Sequence, residues 1–151
     1  MKIKSIFLVL CIFILVFSMA SVFSANVNVA GIDFEVPQGY SINKTSDISV
    51  KLVRNNNTNY TIFISENNFT DSNTSINSRE VSGFNFLAEE NYLSDNGIQI
   101  NQQNYVKNES YYSFYSFEVN GTGYQIGYSL PSYDEFSEGE VNPVTGIINS
   151  I

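Results

Sequence analysis

The sequence predicts an α+β domain, an antiparallel sheet of five to six strands packed with two helices, preceded by an N-terminal hydrophobic signal helix. Three observations predict it. Apolar residues alternate with polar ones in short runs bounded by Gly, Pro and Asn, most clearly over Tyr111–Leu130; this is the pattern of half-buried strands joined by turns. Apolar residues also recur at helical spacing over residues 82–95 and 143–151, as on one face of an amphipathic helix. Finally, Lys2 and Lys4 precede an unbroken apolar run from Ile6 to Phe17, followed by the small residues Ser18, Ala20, Ser21, Ser24 and Ala25. Those are the three parts of a secretory signal.

Residues 1–25 are therefore expected to form a signal peptide, or an anchor left uncleaved, and residues 26–151 a single α+β domain. The apolar run has the length of a signal h-region and falls short of the roughly 20 residues that span a bilayer. Continuing it through Met19, Val22 and Phe23 lengthens it, so release and tethering by residues 6–23 both stay open. In either case the lysines on the N-terminal side place the domain outside the cytoplasm, and membrane contact is expected only through this segment, if uncleaved. Cys11 is the single cysteine and sits inside the run, where it reads as a hydrophobic filler. The domain is thus expected to lack a disulfide in a compartment that permits one.

Composition narrows the chemistry. The chain carries a net charge of −8, and two of its seven basic residues, Lys2 and Lys4, lie in the leader while all fifteen acids lie beyond it. Nucleic acid and anionic membrane surfaces need clustered Lys and Arg, so neither is an expected partner. The chain has no His. Ser-His-Asp and Cys-His catalysis, and zinc sites built on those ligands, are therefore excluded. A Ser-Lys pair could draw only on Lys44, Lys51 or Lys107, which lie on a strand face or in polar stretches and read as solvated. The expectation is a non-enzyme without a cofactor.

In chain order, Asn26 to Val36 reads as extended, with Val27 and Val29, then Ile32, Phe34 and Val36, alternating with polar residues, and Gly31 as a turn or bulge. Pro37-Gln38-Gly39 stops it, with Pro suited to the second turn position and Gly to the fourth. A hairpin follows. For Ile48, Val50 and Leu52 to share a face with Tyr60, Ile62 and Ile64, an odd loop centred on Asn56 pairs Leu52 with Tyr60. Residues 67–78 are nearly all Asn, Ser, Thr and Asp and read as a loop. A helix is expected from Ser82 to Asp95, with Phe84, Leu87, Ala88 and Tyr92 on one stripe and Gly97 as its end. Ile98 to Val106 reads as polar strand near a sheet edge. Tyr111–Val119 and Tyr124–Leu130 form a second hairpin, whose apolar sets are aligned by an even loop, either Asn120-Gly121 as a two-residue turn or Asn120 to Gly123 as four; the two-residue register sets Phe114 over Gly127. Asn142 caps a last helix opened by Pro143, with Val144, Ile147, Ile148 and Ile151 facing the sheet.

Three groups of candidate site residues stand out. Asp134, Glu135, Glu138 and Glu140 crowd one loop, where carboxylates could hold calcium, although their spacing is not that of an EF-hand. Seven N-x-S/T sequons lie at Asn43, Asn56, Asn59, Asn68, Asn73, Asn108 and Asn120, each a glycan acceptor if exported. Tyr105, Tyr112 and Tyr133 are the tyrosines expected at the surface, where an amphipathic ring contacts a partner.

The opening strand closed by Val36-Pro37-Gln38-Gly39-Tyr40, the two hairpins flanking a helix and the terminal amphipathic helix together resemble the PsbP-like fold. That resemblance implies an accessory or binding module more than an enzyme. The make-up as a whole is similar to that of small, Asn-rich exported proteins of methanogenic archaea. The functional expectation is an exported, non-catalytic extracytoplasmic domain that engages a surface or envelope protein or polysaccharide. The alternative is a small-ligand or calcium-binding domain using loop 134–140.

Overall fold

The computed structural model describes residues 25–67, 72–130 and 142–151, with the backbone alone at 72 and 73. The expected signal segment, up to residue 24, lies outside these residues. The elements are β1 (Asn26–Val29), β2 (Ile32–Glu35), β3 (Tyr40–Ser46), β4 (Ser49–Arg54), β5 (Asn57–Glu66), α1 (Ser72–Val81), β6 (Asn85–Leu93), β7 (Gln99–Lys107), β8 (Ser110–Val119), β9 (Thr122–Leu130) and α2 (Pro143–Asn149). A seven-stranded sheet runs β3-β4-β5-β9-β8-β7-β6, and β1 and β2 form a separate two-stranded sheet. All pairings are antiparallel. This corrects the expected α+β class: among the described residues the fold is mostly β, with helices of only ten and seven residues. None of these helices is long and apolar enough to cross a membrane.

The largest correction falls on residues 67–95. The expected helix is strand β6, and the expected loop contains the helix, α1. A bulge explains the first error. Phe86 pairs with Tyr105 and Ala88 with Asn104, so the register shifts at Leu87. One extra residue flips the parity of a strand, and the apolar positions 84, 87, 88 and 92 then imitate a helical stripe. The second error arises because α1 docks by polar contacts. Arg79 lies with its guanidinium carbon 4.0 Å from the centroid of the Phe114 ring, donates to Gln103 Oε1 at 2.6 Å and also bonds Ser75. Val81 is 91% exposed, so no apolar stripe marks this helix. Its end is marked by Gly83, at φ +86°: Phe84 N–H bonds Arg79 O and Gly83 N–H bonds Glu80 O, the Schellman arrangement. Gly97 serves instead in the β6–β7 turn, donating to Ser94 O.

Two turns also sit differently from expectation. Tyr40 N–H bonds Pro37 O, so Pro37 is the first turn residue and Gly39, at φ +84°, the third, as a type II turn requires. In the β4–β5 hairpin Val50 pairs with Ile64 and Leu52 with Ile62, two residues along from the expected register. A bulge after Val53 brings Arg54 opposite Asn57. The apolar sets still share a face, because a shift of two preserves parity. Ile48 falls outside the strand and is 57% exposed.

The β8–β9 hairpin matches its expectation. Val119 pairs with Thr122 across Asn120-Gly121, and Phe114 pairs with Gly127. Asn120 and Gly121 take φ of 52° and 80°, the values of a type I′ turn. One face of the sheet carries Val50, Leu52, Tyr60, Ile62, Ile64, Ile100, Tyr115, Phe117, Tyr124, Ile126, Tyr128 and Leu130, all buried. It is covered by Val27, Val29 and Phe34 of the β1–β2 hairpin and by Val144, Ile147 and Ile148 of α2. Asn142 caps α2 by accepting from Val144 N–H at 3.0 Å. Burial of each such aliphatic side chain contributes about 1.5–3 kcal/mol, which is how seven residues of helix hold their place. The opposite face carries an aromatic cluster, with Phe84 edge-on to Tyr105, Tyr112 and Phe114.

At Gly127 an added Cβ would lie 3.2 Å from Phe114 Cε1, and Phe114 is held by Phe84, Tyr105 and Arg79. Gly127→Val is therefore expected to destabilise the fold by about 1–3 kcal/mol, the usual cost of overpacking. In a Phe114→Leu background, where the ring has gone, the same change should cost less. Urea denaturation of the four variants measures both.

Candidate binding site

The buried face of the sheet is not apolar throughout. One row of cross-strand neighbours runs Leu52–Ile62–Tyr128–Ser113–Asn104–Ala88, passing from hydrocarbon to amide as it reaches β7. The next row runs Val50–Ile64–Ile126–Tyr115–Gln102–Glu90 and changes character at the same strand. Above this polar end lies a pocket of about 180 Å³ whose lining includes Leu87, Gln102, Asn104, Tyr111, Ser113 and Asn142. The bulge in β6 supplies Leu87, which is 49% exposed. Strand alternation from Ile100 supplies Gln102 and Asn104, and the cap of α2 supplies Asn142.

The polar groups are ordered by one another. Tyr92 OH donates to Gln102 Oε1 at 3.2 Å, and Gln102 Nε2 donates to Asn104 Oδ1 at 3.0 Å. Ser113 Oγ donates to the same Asn104 oxygen at 2.7 Å. Asn142 Nδ2 donates to Tyr115 OH at 2.8 Å. Burial pushes the Tyr115 phenol up to about 12, with neighbouring Tyr92 and Glu90 adding to the rise and hydrogen bonds from Asn142 and Ser113 opposing it. Tyr92 is raised too, by burial first and then by Glu90. Both phenols therefore stay protonated far above neutral pH. Among the described residues the lining carries no charged side chain, so these residues are equipped to hold neutral hydrogen-bonding groups. A wider hollow of about 700 Å³ beside Ala30 and Ile48 is less well equipped, since there Asn28 bonds Asp33 and Ser46 bonds Ser49.

Of the residues singled out from sequence, Tyr105 and Tyr112 border the pocket, although both rings pack on Phe84 on the opposite face of the sheet; the others fall elsewhere or outside the described residues. Asp134, Glu135, Glu138, Glu140 and Tyr133 lie outside the described residues, as does Asn68. Among the described residues no three metal-ligating side chains cluster. Asn43, Asn56, Asn59, Asn108 and Asn120 are all exposed, with Asn56, Asn108 and Asn120 in the β4–β5, β7–β8 and β8–β9 turns. Asn73 lies in the first turn of α1. Tyr105, expected at the surface, is fully buried and bonds Gln103 Oε1 at 2.8 Å. Its face is the one α1 covers. Lys107 is not simply solvated: it donates to Ser82 O at 2.8 Å and stands 4.5 Å from the Phe84 ring centroid. Gln102 and Asn104 were legible only as a polar strand. The missed signal was parity, since counting by twos from Ile100 puts both amides on the core-facing side.

No protein-family model matches this sequence, and no curated protein matches it. Among solved structures it is similar to the solution structure of cyanobacterial PsbP (CyanoP) from Synechocystis sp. PCC 6803, with a TM-score of 0.55 and 12% sequence identity, covering 79% of this chain and 86% of that one. The likeness supports the PsbP-like fold that the element order suggested, and extends to the fold alone.

Tyr115 fixes a pH dependence. Its phenol ionises near 10.0 when unfolded and at about 12 in the fold, so between those values the unfolded chain holds fewer protons and stability falls as pH rises. Stability should be unaffected by this group below pH 10 and decline through about 12. Tyr115→Phe should reduce that alkaline loss by about 2 kcal/mol, read as the unfolding free energy at pH 8 against pH 11.5.

Proposed function

We propose that this chain is an extracytoplasmic, non-catalytic binding domain, exported by residues 1–25 and either released or held by residues 6–23, that engages a neutral polar partner at the cell surface or envelope. The observation that carries the reading is the pocket on the amide end of the sheet, whose described lining is uncharged and whose side chains orient one another by hydrogen bonds. The leader supports export, since Lys2 and Lys4 stand before the apolar run of Ile6–Phe17. The absence of His from the chain removes the commonest general base. The PsbP-like resemblance implies an accessory or binding role, and five exposed sequons suit a chain that meets glycosylation machinery.

Export is tested in the native host. The full chain, tagged at its C-terminus, should be recovered either outside the cell with an N-terminus near Ser21 or Ala25, or in the membrane with Met1 intact and the domain cut by protease added from outside. A chain beginning at Met1 in the cytosolic fraction, shielded from external protease, would overturn the reading.

A further inference from the structure

We infer that the pocket above Gln102 and Asn104 takes a neutral saccharide unit, recognised through its oxygen atoms. The inference rests on the reading of the chain as a surface binding domain and gives that domain's pocket a ligand class. Hydrogen-bond capacity carries it. Asn104 Oδ1 already accepts from Gln102 and from Ser113, Gln102 Oε1 accepts from Tyr92, and Asn142 Oδ1 accepts from Val144 N–H. Asn104 Oδ1 thus has both of its acceptor sites filled, and the other two oxygens one of two each. The donors are freer. Asn104 Nδ2 has no partner among the described residues, and Gln102 and Asn142 each spend one N–H, on Asn104 Oδ1 and Tyr115 OH, out of the two an amide carries. Four N–H groups against two acceptor sites remain on the three amides, so the ligand must bring mainly acceptors, as hydroxyl-bearing groups do while still donating in return.

Charge decides which acceptors. Among the described residues no cation lines the pocket, Glu90 is the cross-strand neighbour of Gln102, and the chain carries −8 overall. An anion would lose its hydration here without gaining a counter-charge, so the acceptors are neutral hydroxyl, ring or carbonyl oxygens. An extended peptide would bind by adding to a free sheet edge. Gln102, Asn104 and Ser113 instead rise from β7 and β8, interior strands whose backbone groups are consumed in their ladders. Recognition is left to side chains, which suits the separate hydroxyls of a sugar. The Tyr111 ring and the exposed Leu87 provide apolar walls for its C–H face, and about 180 Å³ holds a single ring.

The test is a titration of the full chain, purified from its host, with cellotriose and with the N-acetylglucosamine trimer, followed by the side-chain NH2 resonances in 1H–15N spectra. Trigalacturonate and acetyl-triglycine amide are the anionic and peptide comparisons. Expected is a saturable shift of the Asn104 NH2 signals with at least one neutral trisaccharide, and none with either comparison. Asn104→Asp keeps the acceptor used by Gln102 and Ser113 but removes the free donors, and should weaken binding at least tenfold. Should that variant fail to fold, Gln102→Glu asks the same question, and Tyr111→Ala tests the wall. The inference is overturned if neither trisaccharide shifts these signals at millimolar concentration, if binding survives both amide substitutions, or if the peptide or the anion binds more tightly. Such a result with the domain still outside the cell removes the saccharide and leaves the export reading; cytosolic recovery removes that reading, whatever the spectra show.

Discussion

β5 and β9 meet through Ile62–Tyr128 and Ile64–Ile126, and the rest of the structure depends on that seam. Every other neighbour pair in the large sheet joins strands that follow one another in sequence, so β3-β4-β5 and β9-β8-β7-β6 are two meanders that local turns can build. Only the seam must close a long loop against its entropy. Once it closes, the apolar faces of the meanders become one surface, Val50 and Leu52 from one side continuing into Tyr115 and Phe117 from the other. The β1–β2 hairpin and α2 then have something to cover. Neither is large enough to stand alone: Tyr124 OH of the joined surface donates to Ala30 O, and Glu35 N–H donates to Ser150 Oγ, tying the hairpin to the end of α2.

The parts of this fold legible in the sequence are those where burial and local turn chemistry agree. The β8–β9 hairpin was readable to the choice between two even loops, because strict alternation fixes parity and Asn120-Gly121 supplies the tighter turn, the one observed. α2 was readable because Asn142, Pro143 and three aliphatic residues mark its cap, first turn and face. The stretch from 67 to 95 was not, and for a physical reason. The bulge at Leu87 writes a false helical period into a strand, while α1 is held by Arg79 over Phe114 and by Gln103, a mode of docking that leaves no periodic trace. The β4–β5 register failed by two residues because parity constrains which face a side chain takes and not how far along it pairs. The pocket was invisible for a related reason, being made where two rows of a core face turn polar, and rows exist only after strands have paired.

That polar end also explains how amides can occupy a core-facing position. A buried amide without partners costs on the order of 1–3 kcal/mol, and no buried side-chain nitrogen or oxygen among the described residues is left without a partner. Tyr92, Gln102, Asn104 and Ser113 meet the requirement by bonding in series, so the orientation of each is set by the next. The opposite face solves its own polar problem similarly, with Gln103 Nε2 passing the Arg79 contact on to Glu89 Oε1 at 3.2 Å. β7 is therefore polar on both sides, with Gln102 toward one layer and Gln103 toward the other.

The irregularities in β3 and β6 bear on what happens beyond the molecule. These are the two outer strands, and each departs from regular pairing with its neighbour, between Ile42 and Lys44 on one side and between Phe86 and Ala88 on the other. An outer strand offers unpaired N–H and C=O groups to any passing chain, and flat regular ones polymerise. Here a local kink interrupts the row on each margin, beside Lys44 on one and ahead of Glu89 and Glu90 on the other. The same residue insertion that obscured β6 in the sequence thus makes that margin a poor template for a further strand.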